Sequence, residues 1–360
     1  MTNQDQTQSI QQQIVQAAAD NTPLSIHGSG SHQFMLPEFE ESLKIEMQHH
    51  TGIIDYQPTE LTLKARSGTP ISTLTPLLQE NQQRLPTDFP EYAEGCTLGG
   101  AIAIGHSGSG RPFHGAIRDH VLGATLINGH AELVQCGGQV MKNVAGYDVS
   151  RMLCGSRGTL GPVLDITLKV LPQPETQLTL IYDKDMHAAI QTMNQMAGQA
   201  LPITAAVFYQ QQLIIRLQGT ESGVRHAQQN IGGEIMPQEH DFWSGIQQQS
   251  HAFFKNAGTL WRIIVPATAP PLQLENEHQS LIDWCGGLRW IDCDTITITD
   301  RDHIRQLGGY IEAHKGAEAT PPESLMSNLQ QKMQRKIKQA FDPEYLFNPR
   351  LSPRTKAFDD

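Results

Sequence analysis

Between Gly95 and Leu171 glycine is denser than ordinary turns require, and this stretch constrains the fold more than any other part of the chain. It reads Gly-Cys-Thr-Leu-Gly-Gly-Ala-Ile-Ala-Ile-Gly-His-Ser-Gly-Ser-Gly from Gly95, passes through His114-Gly115-Ala116-Ile117-Arg118-Asp119, and closes on Gly155-Ser156-Arg157-Gly158-Thr159-Leu160-Gly161. Missing Cβ atoms let backbone N–H groups come close to a bulky partner, and interleaved Ser and Thr add hydroxyl donors. The pattern predicts a site for a phosphorylated cofactor.

A second loop of this kind lies earlier. Leu24-Ser25-Ile26-His27 reads as a short strand that delivers the chain to Gly28-Ser29-Gly30-Ser31-His32, a run of N–H and hydroxyl donors suited to a pyrophosphate. Gly-x-Gly-x-x-Gly is absent and no helical pattern follows directly, so this is not a Rossmann fingerprint. Within the glycine-rich stretch, Leu122, Ala124 and Leu126 lead into Asn128-Gly129, and Leu133-Val134 leads out. That pattern predicts an antiparallel hairpin with a type I′ turn, which disfavours a purely parallel nucleotide-binding sheet.

The totals narrow the class. With 26 basic and 37 acidic residues the net charge is −11, spread without a basic face, so nucleic acid is not an expected partner. The one basic cluster, Lys332, Arg335, Lys336 and Lys338, sits on a helical pattern and reads as a solvated face. Cys96, Cys136, Cys154, Cys285 and Cys293 lack the two-residue spacing of zinc or iron–sulfur ligands and suit reduced thiols. No apolar run is long enough for a transmembrane helix, and Met1–Gln13 lacks the pattern of a signal peptide. The expectation is a cytoplasmic chain, or one held at the inner membrane through a complex.

Elsewhere the elements follow from periodicity. A helix is predicted over Ser9–Ala19, ended by Thr22-Pro23, and a strand over Leu61–Arg66. Thr69 as N-cap and Pro70 at the first helical position open a helix carrying Leu74, Leu77 and Leu78. Val163–Val170 is a strand closed by Pro172 and Pro174, a natural domain boundary. Beyond it strands at 178–181, 203–209, 213–217, 258–265 and 288–291 alternate with helices at 188–197, 224–231 and 272–284, an α+β layer. Met326, Leu329, Met333, Ile337 and Phe341 form the apolar stripe of a last helix that docks back on the body.

Taken in order, these motifs resemble one family. The Gly-Ser-Gly-Ser loop, Thr97-Leu98-Gly99-Gly100, His114-Gly115, Arg118-Asp119, Met141-Lys142-Asn143-Val144-Ala145-Gly146-Tyr147-Asp148, Gly155-Ser156-x-Gly158-Thr159-Leu160-Gly161 and Phe341-Asp342-Pro343 with Phe347-Asn348-Pro349 resemble the FAD-linked oxidases of the p-cresol methylhydroxylase (vanillyl-alcohol oxidase) type. Within it, the chain is similar to the FAD-binding subunits of bacterial glycolate-oxidising complexes. The resemblance implies an α+β fold: a two-subdomain FAD-binding domain over 1–174, an α+β cap over 175–320 that covers the flavin, and a C-terminal helix and tail over 321–360 returning to the FAD domain. It implies FAD held non-covalently by Gly28, Ser29, Gly30 and Ser31 on one side and by Thr97, Gly99, Gly100, Ser107 and Gly108 on the other, with Gly158, Leu160, Gly161 and Val163 along it by backbone. His32 lies one place beyond the position expected of a covalent flavin link. The implied reaction is oxidation of glycolate, or of D-lactate, to the 2-oxo acid, with a larger FAD-linked catalytic subunit and an iron–sulfur subunit as partners. The alternative is an FAD-binding assembly or electron-transfer subunit with no catalysis of its own.

Hydride transfer from a small 2-hydroxy acid to a flavin needs a base for the hydroxyl proton and an anchor for the carboxylate. Histidine is the default base, which makes His106, His114 and His314 candidates, and Arg262 and Arg289, beside tryptophans, are candidate anchors. The chain departs from the family in two places. It ends in Asn348-Pro349-Arg350 rather than Asn-Pro-Gly, and it lacks the His-x-Gly-Asp-Gly-Asn motif of the larger catalytic subunits.

Overall fold

The computed structural model describes residues 3–35, 42–138, 149–316 and 328–351. The Met141–Asp148 motif therefore lies outside the described residues. The chain forms two compact units: the first comprises 1–106, 116–172 and 321–360, the second 107–115 and 173–320.

In the first unit, the helix Thr7–Asp20 buries Ile10, Ile14 and Ala17 on one face and stops at Asn21, whose left-handed backbone (φ 50°) turns its N–H back toward the Ala17 and Ala18 carbonyls. Asparagine tolerates that conformation, so the helix ends there and not at Thr22-Pro23. Strand β1 (Leu24–His27) pairs in parallel with β2 (Leu43–Glu46). Strands β3 (Ile53–Gln57) and β4 (Thr62–Arg66) enter a five-stranded antiparallel sheet with β6 (Val121–Ile127), β7 (Leu133–Gly137) and β8 (Val163–Lys169) in the order β3-β4-β8-β6-β7, while β5 (Gln83–Arg84) pairs with β9 (Leu171–Pro172). The alternation that marked β8 sets its register. Leu168 stands opposite Leu63 and Val121, and Ile166 opposite Ala65 and Ala124. On the polar face, Asp165 pairs with Lys64 at 3.0 Å.

Two local expectations fail for one reason, that long-range contacts claim the residues. Thr69 does not cap the helix Ile71–Glu80; its hydroxyl accepts from the Gly52 N–H at 3.0 Å, and Pro70 stands at the cap position. The β6–β7 hairpin is present, but its loop spans Asn128–Glu132. Asn128 Oδ1 accepts from the His130 and Glu132 N–H groups, and positive φ falls on Ala131. Gly129 serves an approach instead of a turn: its N–H donates to the Phe341 carbonyl at 2.7 Å, and a Cβ there would sit 3.0 Å from Asp342 Cα.

From the last helix, Asn328–Phe341, the apolar side chains Ile337 and Phe341 pack against Ala124, Leu126, Leu153 and Leu160. Leu329 and Met333, expected to be covered, are 68% and 56% exposed. Polar bonds fasten the helix end. Lys338 Nζ, fully buried, donates to the Thr159 carbonyl (2.6 Å), Asp342 Oδ2 (2.5 Å) and the Phe347 carbonyl (2.9 Å). Burial pulls the Lys338 pKa down and Asp342 opposes it. Breaking such a pair by removing one partner costs about 3–5 kcal/mol.

The second unit is built on an eight-stranded antiparallel sheet. Its strands are β10 (Thr176–Asp183), β11 (Ile203–Tyr209), β12 (Gln212–Gly219), β13 (Glu234–Ile235), β14 (Leu260–Ile264), β15 (Glu277–Asp283), β16 (Leu288–Cys293) and β17 (Tyr310–Lys315), in the order β13-β10-β12-β11-β15-β16-β14-β17. Alternate residues of β11 serve opposite faces. Ala206 and Phe208 meet the helices Met186–Ala197 and Glu221–Ile231, and Ala205 and Val207 meet Trp243, Phe253 and Phe254. The helix expected over 272–284 is instead the strand β15. Ser280 to Asp283 pair with β16, and Leu281 and Ile282 are buried on opposite faces, a two-residue periodicity that a short apolar run cannot declare. Residues 107–115 join this unit through definite bonds: Ser109 Oγ donates to Asp283 Oδ2 at 2.7 Å, and Trp284 Nε1 donates to the Gly108 carbonyl at 2.9 Å. No helix among the described residues is long and apolar enough to cross a membrane.

Candidate functional site

The first unit contains a cavity of about 90 Å³. Residues 26–33, at the end of β1 and beyond it, form one wall. Thr97, Gly99, Gly100, Ala103 and Ile104, from a short helix and its cap, form a second, and Ser156, Arg157, Gly158, Gly161 and Val163 a third. Met47 and Ser67 complete it. Three loops far apart in sequence thus converge on one space.

The walls use their glycines in two ways. At Gly99 the need is closeness, because a Cβ would lie 2.6 Å from Ser67 Cβ, and the Gly99 N–H is spent on the Ser67 carbonyl at 2.7 Å. The Gly100 N–H is likewise taken by the Thr97 hydroxyl at 3.1 Å. At Ser29, Gly30 and Ser31 the N–H groups donate to nothing among the described residues, so this loop keeps backbone donors available. Among the described residues no Asp or Glu lines the cavity, whereas Arg157, His27 and His32 do. In a chain of net charge −11, a cavity whose described lining holds an arginine, no acid and N–H groups without a described acceptor suits an anion.

His32 is held firmly. Its Nδ1 lies 2.9 Å from Ser31 Oγ, and its ring meets the Tyr92 ring edge-on at 5.2 Å. Burial pushes its pKa down to about 4, nearby His106 adds to this, and a bond to the Pro90 carbonyl opposes it. The ring is neutral near pH 7. Tyr92 hydroxyl lies 2.9 Å from His106 Nδ1, which places His106 in the same aromatic cluster.

Ten of the thirteen residues named above for the cofactor line the cavity: Gly28, Ser29, Gly30, Ser31, Thr97, Gly99, Gly100, Gly158, Gly161 and Val163. The other three do not. Leu160 is buried with Leu126 and Leu153, while Ser107 and Gly108 fold with the second unit. Ser67, Met47 and Arg157 were missed as lining residues. The signal for Arg157 was its place inside the Gly155–Gly161 run, where it reads as filler between glycines.

Apart from His106, the candidate anchors and bases lie in the second unit. Arg262 Nη1 pairs with Glu312 Oε2 at 3.1 Å, opposite it in register between β14 and β17, and the guanidinium stands over the Trp284 ring at 5.0 Å. His314 is buried, with Nε2 2.7 Å from Gln249 Oε1 and its ring against Trp290 at 4.7 Å. Arg289 is buried, and among the described residues its one hydrogen bond runs from Nη2 to the Ala269 carbonyl at 3.0 Å. His114 is half-buried at the end of the turn Arg111–His114. No cluster of three metal-ligating side chains occurs among the described residues.

Residues 4–137 match the FAD binding domain family. Across its length the chain is 39% identical to the glycolate oxidase subunit GlcE of Escherichia coli, over 349 residues that cover 96% of this chain and 97% of that one. The chain belongs to the GlcE family. A shorter match, 29% identity over 178 residues, covers 49% of this chain and 38% of the glycolate oxidase subunit GlcD of Bacillus subtilis. The fold is that of alkyldihydroxyacetonephosphate synthase, with a TM-score of 0.68 at 16% identity over 95% of this chain and 75% of that one. The chain is thus a flavoprotein of the oxidoreductase class with FAD as its cofactor, and its mixture of helices and antiparallel sheets bears out the expected α+β class.

Proposed function

We propose that the cavity of the first unit holds the pyrophosphate of FAD, and that the chain is the FAD-binding subunit of a complex that oxidises glycolate, or D-lactate, to the 2-oxo acid. The observation that carries the first part is the loop Ser29–Ser31, with backbone donors uncommitted among the described residues, in a cavity whose described lining includes Arg157 and no carboxylate. Its N–H groups bind the diphosphate oxygens, Arg157 neutralises charge, and Gly99, Gly100 and Gly158 leave room for close approach. FAD, when bound, supplies the acceptor for two electrons and a proton taken from the hydroxy acid. The substrate and the complex rest on the likeness to GlcE and GlcD, both subunits of glycolate oxidase. The partners are a larger FAD-linked catalytic subunit and an iron–sulfur subunit that carries electrons onward, and the complex holds the chain at the inner membrane.

A second reading, an FAD-binding electron-transfer or assembly subunit without turnover of its own, is favoured by one observation. Arg262 is neutralised by Glu312, and His314 is buried and bonded to Gln249, so neither offers a ready anchor or base. One experiment separates the two. The chain is purified, loaded with FAD, and mixed anaerobically with glycolate alone and then with the partner subunits. Bleaching of the flavin by glycolate alone establishes autonomous oxidation; bleaching that waits for the partners establishes the second reading. A chain that takes up no FAD refutes both.

A further inference from the structure

The C-terminal segment reaches two walls of the cavity through one side chain. Residues 346–348 run parallel to β1: the Leu24 N–H donates to the Leu346 carbonyl at 2.8 Å, and the Asn348 N–H donates to the Leu24 carbonyl at 2.9 Å. The next acceptor in that ladder is a side-chain oxygen, since Asn348 Oδ1 takes the Ile26 N–H at 3.0 Å. The same amide turns outward, and Nδ2 donates to the Arg157 carbonyl at 2.7 Å. Ile26 and Arg157 both line the cavity, on opposite sides of the sequence gap between the first and third loops.

The surroundings are shaped for this bridge. Asn348 is buried and left-handed (φ 43°), a conformation asparagine accepts more readily than other side chains. A Cβ on Gly158 would lie 2.8 Å from Asn348 Nδ2, so the glycine lets the amide reach its neighbour's carbonyl. Beneath, Asp342 accepts from the Leu346 N–H (2.9 Å) and the Phe347 N–H (2.8 Å), while Lys338 ties the same segment to the Thr159 carbonyl.

We propose that Asn348 is a positioning residue of the FAD site: it sets the spacing between the β1 loop and the Arg157-Gly158 loop, so seating of the C-terminal segment and binding of the dinucleotide favour one another. This rests on the reading that FAD occupies this cavity. The coupling is reciprocal, so FAD also steadies the C-terminal segment.

The test uses the full apo chain and FAD, with affinity read by flavin fluorescence and local stability by hydrogen exchange. Asn348→Ala removes both bonds, and Asn348→Asp keeps the acceptor for Ile26 but turns an oxygen toward the Arg157 carbonyl. The expected result is an FAD Kd raised about tenfold in Asn348→Ala and at least as far in Asn348→Asp, whose carboxylate also faces the Arg157 carbonyl and the diphosphate. FAD should slow exchange at Ile26 and at 346–348 in the unsubstituted chain, and the slowing at 346–348 should vanish in Asn348→Ala. A purely structural role would lower apo stability without moving the Kd of the folded chain. If Asn348→Ala does not fold, the same comparison on Asn348→Asp decides. A Kd within about twofold of the unsubstituted value, with slowing at 346–348 unchanged, overturns the inference. If FAD slows no amide in 28–31 or 156–158, the cavity assignment itself falls and takes the inference with it.

Discussion

Acidification should destabilise the first unit through His32. The ring is enclosed by Ser31, Tyr92 and the Pro90 carbonyl, and burial, then the His106 charge, brings its pKa from 6.5 to about 4. Because the folded value lies below the unfolded one, the unfolded chain binds this proton more readily. The stabilising contribution is complete above the unfolded pKa and is lost as the pH falls from 6.5 toward 4. A shift of about 2.5 units at 1.36 kcal/mol each bounds the loss near 3 kcal/mol, about 2 of which has gone by about pH 5. His32→Gln keeps an acceptor for Ser31 and a donor for Pro90 but cannot titrate. The assay is hydrogen exchange of first-unit amides across this range, in both chains. All four tryptophans, Trp243, Trp261, Trp284 and Trp290, lie in the second unit, so their fluorescence serves as an internal control. Equal loss of stability in the two chains would refute the argument.

Three further outcomes follow from packing and burial. Gly99→Ala places a Cβ 2.6 Å from Ser67 Cβ and 3.0 Å from the Ser67 carbonyl oxygen, and should cost about 1–3 kcal/mol by thermal unfolding and lower bound FAD; an unchanged midpoint would show that the wall yields. Arg289→Met should leave stability equal or higher by up to about 4 kcal/mol, because the guanidinium is buried with one carbonyl partner among the described residues and burial already brings its pKa to about 10. A loss above about 2 kcal/mol in denaturant unfolding would instead show that the bond to the Ala269 carbonyl outweighs the cost of burying the guanidinium. Of the five thiols, only Cys154 is partly exposed, and burial raises Cys96 to about 11 and Cys285 to about 12. A thiol reagent should label Cys154 alone in the folded chain and all five in denaturant; fast native labelling of Cys96 would contradict its burial.

Legibility followed the range of the contacts. Strand β1 with its Gly-Ser loop, the alternation of β8 and the β6–β7 hairpin were readable because period and turn residues act between near neighbours. The stretch 272–284 was misread as a helix because Leu281-Ile282 gives no period long enough to decide, and pairing with β16 made it a strand. Asn128-Gly129 marked a hairpin but not its turn, since Gly129 is required by the approach of Asp342 from more than two hundred residues away.

By itself the sequence pointed to a phosphate-bearing cofactor and to the loops that line the cavity, because glycine and serine beside a short strand leave backbone donors that suit a phosphate-like anion. Only the tertiary structure decided which glycines donate and which merely yield space. Gly99 and Gly100 have spent their N–H groups on Ser67 and Thr97, while Ser29 to Ser31 have donated theirs to nothing among the described residues. It also folded Ser107 and Gly108 with the second unit, where Ser109 bonds to Asp283 and Trp284 to Gly108. And it brought Asn348, near the far end of the chain, between Ile26 and Arg157. Hydrogen bonds depend on where partners meet in space, and a linear spacing of residues does not contain that distance.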